Sequence, residues 1–194
     1  MFTTEQVIAR FRRWYRRAES QGELRFDAMA LGTVGRDGGV SVRMVLVKDV
    51  DARGFVFFTC LRSRKGRDLE ASSRVAATFH WPTLTRQVRI EGKVEHVTDA
   101  EADEYWETRP RGSQLSAATS RQSEPIDARA TLVRRRNALA RRLAGGPVPR
   151  PPDWSGFRIV PDRIEFWTQR DDRLHHRELF TRGRRGWTLQ LLQP

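Results

Sequence analysis

Apolar side chains at Val7, Ile8, Phe11, Trp14, Tyr15 and Ala18 recur at the spacing of one helix face, with arginines filling the positions between them. Thr3 with Gln6 three residues on makes a capping box, and Gly22 is a suitable stop, so the pattern predicts a helix over 3–20. From residue 28 the period changes to two. Residues 28–34 lead through Arg36-Asp37-Gly38-Gly39, a hairpin-turn signal, into Val40, Val42, Met44 and Leu46 alternating with Ser41, Arg43, Val45 and Val47. Lys48 closes that run. After a second turn at 49–54 comes Phe55-Val56-Phe57-Phe58-Thr59, predicted to pair with the preceding strand as an antiparallel hairpin.

Ser63 then opens a short helix with Arg64 and Lys65 just inside it. Residues 74–81 and 85–97 form a strand pair around Pro82, with Gly92 marking a bulge. Thr98 and Glu101 make another capping box, for a helix through Trp106 that ends near Pro110. Residues 109–113 read as a basic turn and 120–123 as a polar segment. Asp127 is the expected cap of a helix over 128–143, stopped by Gly145-Gly146, and a proline-rich connector at 147–152 leads to closing strands over 155–192. The chain therefore reads as one domain, 1–194: helix 3–20, barrel strands about 28–97, a helical insert about 98–143, and C-terminal strands 155–192. The predicted class is α+β, an antiparallel closed Greek-key barrel with peripheral helices. No glycine-rich dinucleotide fingerprint follows a strand and no phosphate-loop lysine motif is present, which removes the Rossmann and P-loop classes.

Composition narrows the chemistry. Hydrophobic residues make up 38% and charged residues 31%, a polar but globular profile. No apolar run reaches membrane-spanning length and no secretory h-region opens the chain, so a cytoplasmic location is the default expectation. The net charge of +12 raises the possibility of a nucleic-acid-binding module, through the arginines of 134–142. That inference weakens because only Lys48, Lys65 and Lys93 are lysines among 36 basic residues, an arginine skew of the kind that coding bias produces. Cys60 is alone, so neither a disulfide nor a cysteine zinc site is available, and it reads as a buried structural thiol. Four histidines supply one adjacent pair, which a strand would send to opposite faces; no metal is expected.

What remains is a set of separate basic clusters: Arg43 with Lys48, Arg64 with Lys65, Arg109 with Arg111, and Arg173 with Arg177. The Ser63 helix start combines a hydroxyl, free backbone N–H groups and positive charge, which suits a phosphate. Near the C-terminus Arg173, His175 and Arg177 sit two apart; on a strand they share one face, as an anion site or as a solvated edge. Two phosphorylated small molecules account for this scatter, and for Trp81, Tyr105 and Trp167 nearby, more economically than acid–base chemistry does.

Taken together, Arg43-Met44-Val45-Leu46-Val47-Lys48, Phe58-Thr59, Ser63-Arg64-Lys65, Arg86-Gln87-Val88, Arg109-Pro110-Arg111-Gly112-Ser113-Gln114, Arg121-Gln122-Ser123, and Glu165-Phe166-Trp167 with Arg173-Leu174-His175 resemble the pyridoxamine 5′-phosphate oxidase family, over nearly the whole chain. The resemblance implies a homodimer of split β-barrels with FMN at the interface. It assigns Arg43, Met44, Val45, Leu46, Phe58, Thr59, Arg64, Lys65, Gln87, Gln122, Ser123, Trp167 and Arg177 to FMN, with Arg64 and Lys65 at its phosphate. Lys48, Tyr105, Arg109 and Ser113 would grip the phosphate of a B6 vitamer, and Arg173 and His175 would flank its ring as the catalytic pair. The implied reaction moves hydride from the substrate 4′ carbon to flavin N5, with O2 as the final acceptor. Two departures stand out. His176 occupies a place where the family often carries an acid, which is expected to disturb the pairing of Arg177. The sequence also starts almost at the first helix, without the Arg- and Tyr-bearing extension that closes over substrate, which is expected to weaken its capture. The rival within the same resemblance is an FMN-dependent oxidase of secondary metabolism, of the phenazine-biosynthesis type; the phosphate-gripping set argues against it.

Overall fold

The computed structural model describes residues 1–194. Its first element, α1 (Thr4–Ser20), starts as the capping box predicts: the Gln6 N–H donates to the Thr3 hydroxyl at 3.2 Å and the Thr3 N–H to the Gln6 side chain at 2.9 Å. The helix buries Val7, Ile8, Phe11 and Ala18, and Phe11 meets Phe55 and Phe79 edge-on in the main core. No helix is long and apolar enough to cross a membrane.

The remaining elements are β1 (Ala28–Val34), β2 (Val40–Leu46), β3 (Asp49–Asp51), β4 (Gly54–Cys60), α2 (Arg64–Ala71), β5 (Arg74–Trp81), β6 (Arg86–His96), α3 (Asp99–Thr108), α4 (Arg111–Thr119), α5 (Arg129–Arg142), β7 (Trp154–Thr168), β8 (His176–Gly183) and β9 (Gly186–Leu192). All nine strands belong to one antiparallel sheet, in the order β2-β1-β5-β6-β7-β4-β3, with β8 on β7 and β9 on β8. The long strand β7 organises it. β6 runs along one side of β7, while β4 takes the first half of the other side and β8 the second half. A bulge at Glu91/Gly92 makes the bend in β6, where a Cβ on Gly92 would stand 2.2 Å from the Val160 carbonyl oxygen.

Four expectations are corrected. β4 does not form a hairpin with β2; it pairs with β3 and β7. The chain changes partners between adjacent residues: the Val47 N–H bonds the Asp27 carbonyl at 2.9 Å and the Lys48 N–H bonds that of Val56 at 2.8 Å. Because β2 and β3, the two ends of the sheet path, share no ladder, the sheet curls as a split barrel and does not close by hydrogen bonding. Residues 111–119, read in part as a turn, form α4. This helix buries only Leu115, so it has almost no apolar period to betray it. Asp127 is not the cap of α5: Ala128 holds that place without a side-chain bond, and Asp127 accepts instead from the Thr131 hydroxyl at 3.3 Å.

A buried arginine ties the insert to the barrel. Arg158 on β7 is 2% exposed and donates to Asp51 at 2.7 Å and to Glu101 at 2.9 Å. Glu101 is also the capping-box acid of α3, and its bonds from the Thr98 N–H and from Arg53 and Arg158 outweigh partial burial and lower its pKa to about 2. Replacing Arg158 with Met should lower stability by about 2–3 kcal/mol, the modest end for a broken buried ion pair because both carboxylates keep Arg53. Urea unfolding checks this; an unchanged midpoint contradicts it. The Glu101 shift has a definite sign. Its contribution is present above the ordinary carboxylate range and is lost as pH falls through the folded value.

Candidate functional site

A cavity of about 340 Å³ opens between β2, the end of β4, the start of α2 and the helical insert. It brings together Met44, Val45, Leu46, Phe58, Thr59, Lys65 and Gln122 of the expected flavin set with Lys48, Tyr105 and Arg109 of the expected phosphate-gripping set.

The anion end is built from the α2 start. The Ser63 hydroxyl caps the helix by accepting from the Gly66 N–H at 3.2 Å. Gly66 is required, since a Cβ there would lie 2.0 Å from the Leu61 carbonyl oxygen. This turn drives the Lys65 ammonium inward, where it is 8% exposed and donates to Thr59 Oγ1 at 3.0 Å, Gln122 Oε1 at 3.2 Å and Ser63 Oγ at 3.4 Å. All three partners are neutral. Burial, reinforced by Arg43, pushes its pKa down. A buried ammonium with no carboxylate partner at a helix N-terminus suits a phosphate group. The Arg64 N–H meets Ser123 Oγ at 3.1 Å, in a loop where Ser123 takes φ +74°, and the Arg64 side chain is exposed beside it. Arg43 lies behind the cavity wall, donating to Thr33 Oγ1 at 2.6 Å and to the Leu31 carbonyl at 3.2 Å and pairing with Asp68 at 3.4 Å.

The other end is aromatic. Phe58 stacks on Tyr105 at 4.1 Å and on Trp154 at 5.4 Å, and the Arg109 guanidinium lies 4.7 Å over the Trp154 ring. Arg109 donates to the Ser113 carbonyl at 3.3 Å and has no acidic partner; burial lowers its pKa. Ser113 is exposed and its hydroxyl does not line the cavity. Trp154 is absent from the sequence-based set and lies one residue before the closing strands expected from 155. Cys60 is half-buried on the cavity wall, not sealed in the core. Burial pushes its thiol up, with the Asp153 carboxylate 3.6 Å away adding to the effect.

The remaining expected residues form a second group outside this cavity. Gln87, Trp167 and Arg177 are consecutive register partners across β6, β7 and β8. Glu165, buried and not singled out as a site residue from the sequence, anchors the row by accepting from Arg177 at 2.7 Å and Arg89 at 3.1 Å. His176 therefore does not disturb Arg177, which has its acid across the strand; His176 meets Glu178 at 3.2 Å instead. The shared strand face is also corrected. β8 begins at His176, and Arg173 lies in the preceding turn at φ +64°. The Arg173 guanidinium is exposed and has no partner within the protomer. His175 accepts from the Arg170 N–H through Nδ1 at 3.1 Å, which leaves Nε2 as the protonated nitrogen of the neutral ring, and it packs 4.8 Å from Trp167.

Solved structures define the class first. PhzG from Burkholderia lata 383, in complex with tetrahydrophenazine-1-carboxylic acid, matches with a TM-score of 0.92 and 31% identity over 96% of this chain and 92% of that one. A pyridoxamine 5′-phosphate oxidase-related, FMN binding protein from Nostoc punctiforme shares the fold at a TM-score of 0.71, with 15% identity over 87% of this chain and 88% of that one. The architecture is that of the FMN-binding split barrels. Family profiles described as "Pyridoxamine 5′-phosphate oxidase" and "Pyridoxine 5′-phosphate oxidase C-terminal dimerisation region" match residues 17–142 and 154–194. The pyridoxine/pyridoxamine 5′-phosphate oxidase of Myxococcus xanthus strain DK1622 is 51% identical over 96% of this chain and 91% of its own length. That of Gluconobacter oxydans strain 621H is 50% identical over 96% and 94%. The chain belongs to the pyridoxamine 5′-phosphate oxidase family.

Proposed function

We propose that this protein is an FMN-dependent oxidase that converts pyridoxamine 5′-phosphate and pyridoxine 5′-phosphate to pyridoxal 5′-phosphate with O2 as acceptor, working as a homodimer. The observation that carries this reading is the buried, carboxylate-free Lys65 at the start of α2, opening into a cavity that also holds Lys48 and Arg109. One cavity thus offers two separate cationic ends, matched to two phosphates. The half-identical relatives bearing that activity in their names support the choice of substrate.

FMN, when bound, supplies the two-electron acceptor that O2 reoxidises. Lys65, Arg64, Ser123 and Gln122 hold its phosphate end, Arg43 stiffens the wall behind them, and Met44, Val45, Leu46, Phe58 and Thr59 line its bed. Gln87, Trp167 and Arg177 complete the site from a second copy, because one protomer keeps this row out of its own cavity and two of its three members, Trp167 and Arg177, fall within the dimerisation region. Lys48, Tyr105 and Arg109 grip the substrate phosphate, and Ser113 serves through the carbonyl that steadies Arg109. Arg173 and His175 lie against the substrate ring. Arg173 presents a guanidinium, a donor-only group that orients and stabilises charge and does not act as a base. The lone, protonated Cys60 thiol and phosphorylated substrates suit a cytoplasmic setting.

A second reading, oxidation of a dihydrophenazine, is favoured by the likeness to PhzG. The two separate in one assay. The purified protein should be yellow and should form aldehyde and peroxide from the two vitamer phosphates, with little turnover of a dihydrophenazine. A colourless protein that FMN does not reconstitute contradicts both readings, and the reverse substrate preference selects the second.

A further inference from the structure

Lys48 lies on a wall shared by two cavities. On one side is the candidate site; on the other is a chamber of about 210 Å³ lined by the acidic residues Asp49, Glu101 and Glu104 together with Arg158. A lysine on a four-carbon stem could turn its ammonium to either side. The one polar contact that its ammonium makes is with Asp27, at 3.0 Å. Both side chains are largely shielded, at 26% and 19% exposure, so this pair is less screened than a surface bridge. Asp27 is itself held by backbone. Its carbonyl accepts from Val47 at 2.9 Å, the preceding carbonyl of Phe26 accepts from Trp81 Nε1 at 3.0 Å, and the next residue opens β1. A carboxylate carried on a fixed stretch of backbone thus stands at the bend where the chain leaves β2 for β3, next to the one cation with a choice of two cavities.

We infer that Asp27 is a positioning residue for substrate binding: it fixes the Lys48 ammonium at the wall that the candidate site shares with the neighbouring chamber, and leaves two of its three N–H donors for a phosphate. The inference rests on the oxidase reading above and adds a residue that reading does not contain. Asp27 acts through position, since its negative charge by itself opposes a phosphate. The two contributions separate by substitution. Asp27→Asn keeps an acceptor and removes the charge; Asp27→Ala removes both.

The test uses FMN-loaded dimer, titrated with pyridoxal 5′-phosphate by fluorescence, alongside KM and kcat for pyridoxamine 5′-phosphate. Asp27→Ala should weaken phosphate-ligand binding and raise KM by about tenfold while kcat and FMN retention stay near wild type. Asp27→Asn should bind as tightly as wild type or more tightly. In a Lys48→Ala background, Asp27→Ala should add nothing, the non-additivity of two residues that act as one. Unphosphorylated pyridoxal should bind wild type and Asp27→Ala alike. Wild-type affinity in Asp27→Ala, equal weakening by Asn and Ala, or an undiminished Asp27→Ala effect without Lys48 overturns the inference. If Asp27→Ala does not fold, Asp27→Ser, too short to reach Lys48, carries the same expectations. A wild-type protein that forms no aldehyde from either vitamer phosphate defeats the oxidase reading; an active wild type with an indifferent Asp27 defeats only this one.

Discussion

Val42→Asp should convert the protein into a monomer that no longer retains FMN. β2 pairs with β1 alone, and on its outer face Val40, Val42 and Met44 are 72%, 65% and 62% exposed. An edge strand with an apolar outer stripe is an invitation to association. Arg43, between them, turns the other way and is occupied by Thr33, Leu31 and Asp68, so nothing charged interrupts the stripe. Met44 also lines the candidate cavity, which makes the stripe continuous with the proposed flavin site. In a homodimer that buries this face, a carboxylate at position 42 is an unpaired buried charge, costing several kcal/mol per interface copy. In an isolated protomer the same carboxylate stays in water and costs only the β-propensity difference, up to about 1 kcal/mol. Size-exclusion chromatography with light scattering should report the protomer mass and the flavin absorbance should be lost, while circular dichroism keeps the sheet signal. A Val42→Asp protein that stays dimeric and yellow rejects both the interface and the shared site.

The parts of this architecture legible in the sequence are those encoded locally. The capping boxes at Thr3 and Thr98 fix two helix starts, and the Gly92 bulge and the hairpin at 36–39 appear where their turn chemistry puts them. Strand pairing was not legible in the same way. β4 is buried along nearly its whole length, so its run of aromatics displays no face, and its main partner β7 lies about a hundred residues on. Nothing local in residues 55–59 specifies that partner. The site shows the same division. Residue types and motif order pointed to Lys65, Phe58 and Gln122, which the fold brings into one cavity. The pairings that support them were not legible, because Glu165, Arg158 and Asp27 each act through a partner twelve or more residues away. Arg158 had a usable signal: a charge inside the apolar run 157–160 demands a buried partner. The turn at Arg173 had none, since period-two spacing looks the same in a strand and in a loop that happens to alternate.

Arg173→Leu should lower kcat by roughly two orders of magnitude and leave FMN retention nearly unchanged. The geometry separates the two effects. The residues proposed for FMN in the same region, Trp167 and Arg177, are fixed by the β6–β7–β8 ladder and by Glu165, none of which involves the Arg173 side chain. Arg173 itself sits in the turn 169–175, in the left-handed region, with its guanidinium exposed and unpartnered, two residues before His175, which packs on Trp167. A cation left without an internal partner is available to a ligand. Leucine retains the bulk of the stem, and an unbranched-Cβ residue replaces another at the same backbone angle, so the turn itself should hold. What is lost on the proposed reading is the positive charge against the substrate ring, where electron density changes during oxidation. Arg173→Lys should recover part of the rate by restoring charge without the planar fork. The informative comparison is kcat against FMN dissociation in the same preparations. Equal losses in both would move Arg173 into the flavin site, and full activity in Arg173→Leu would remove it from the reaction.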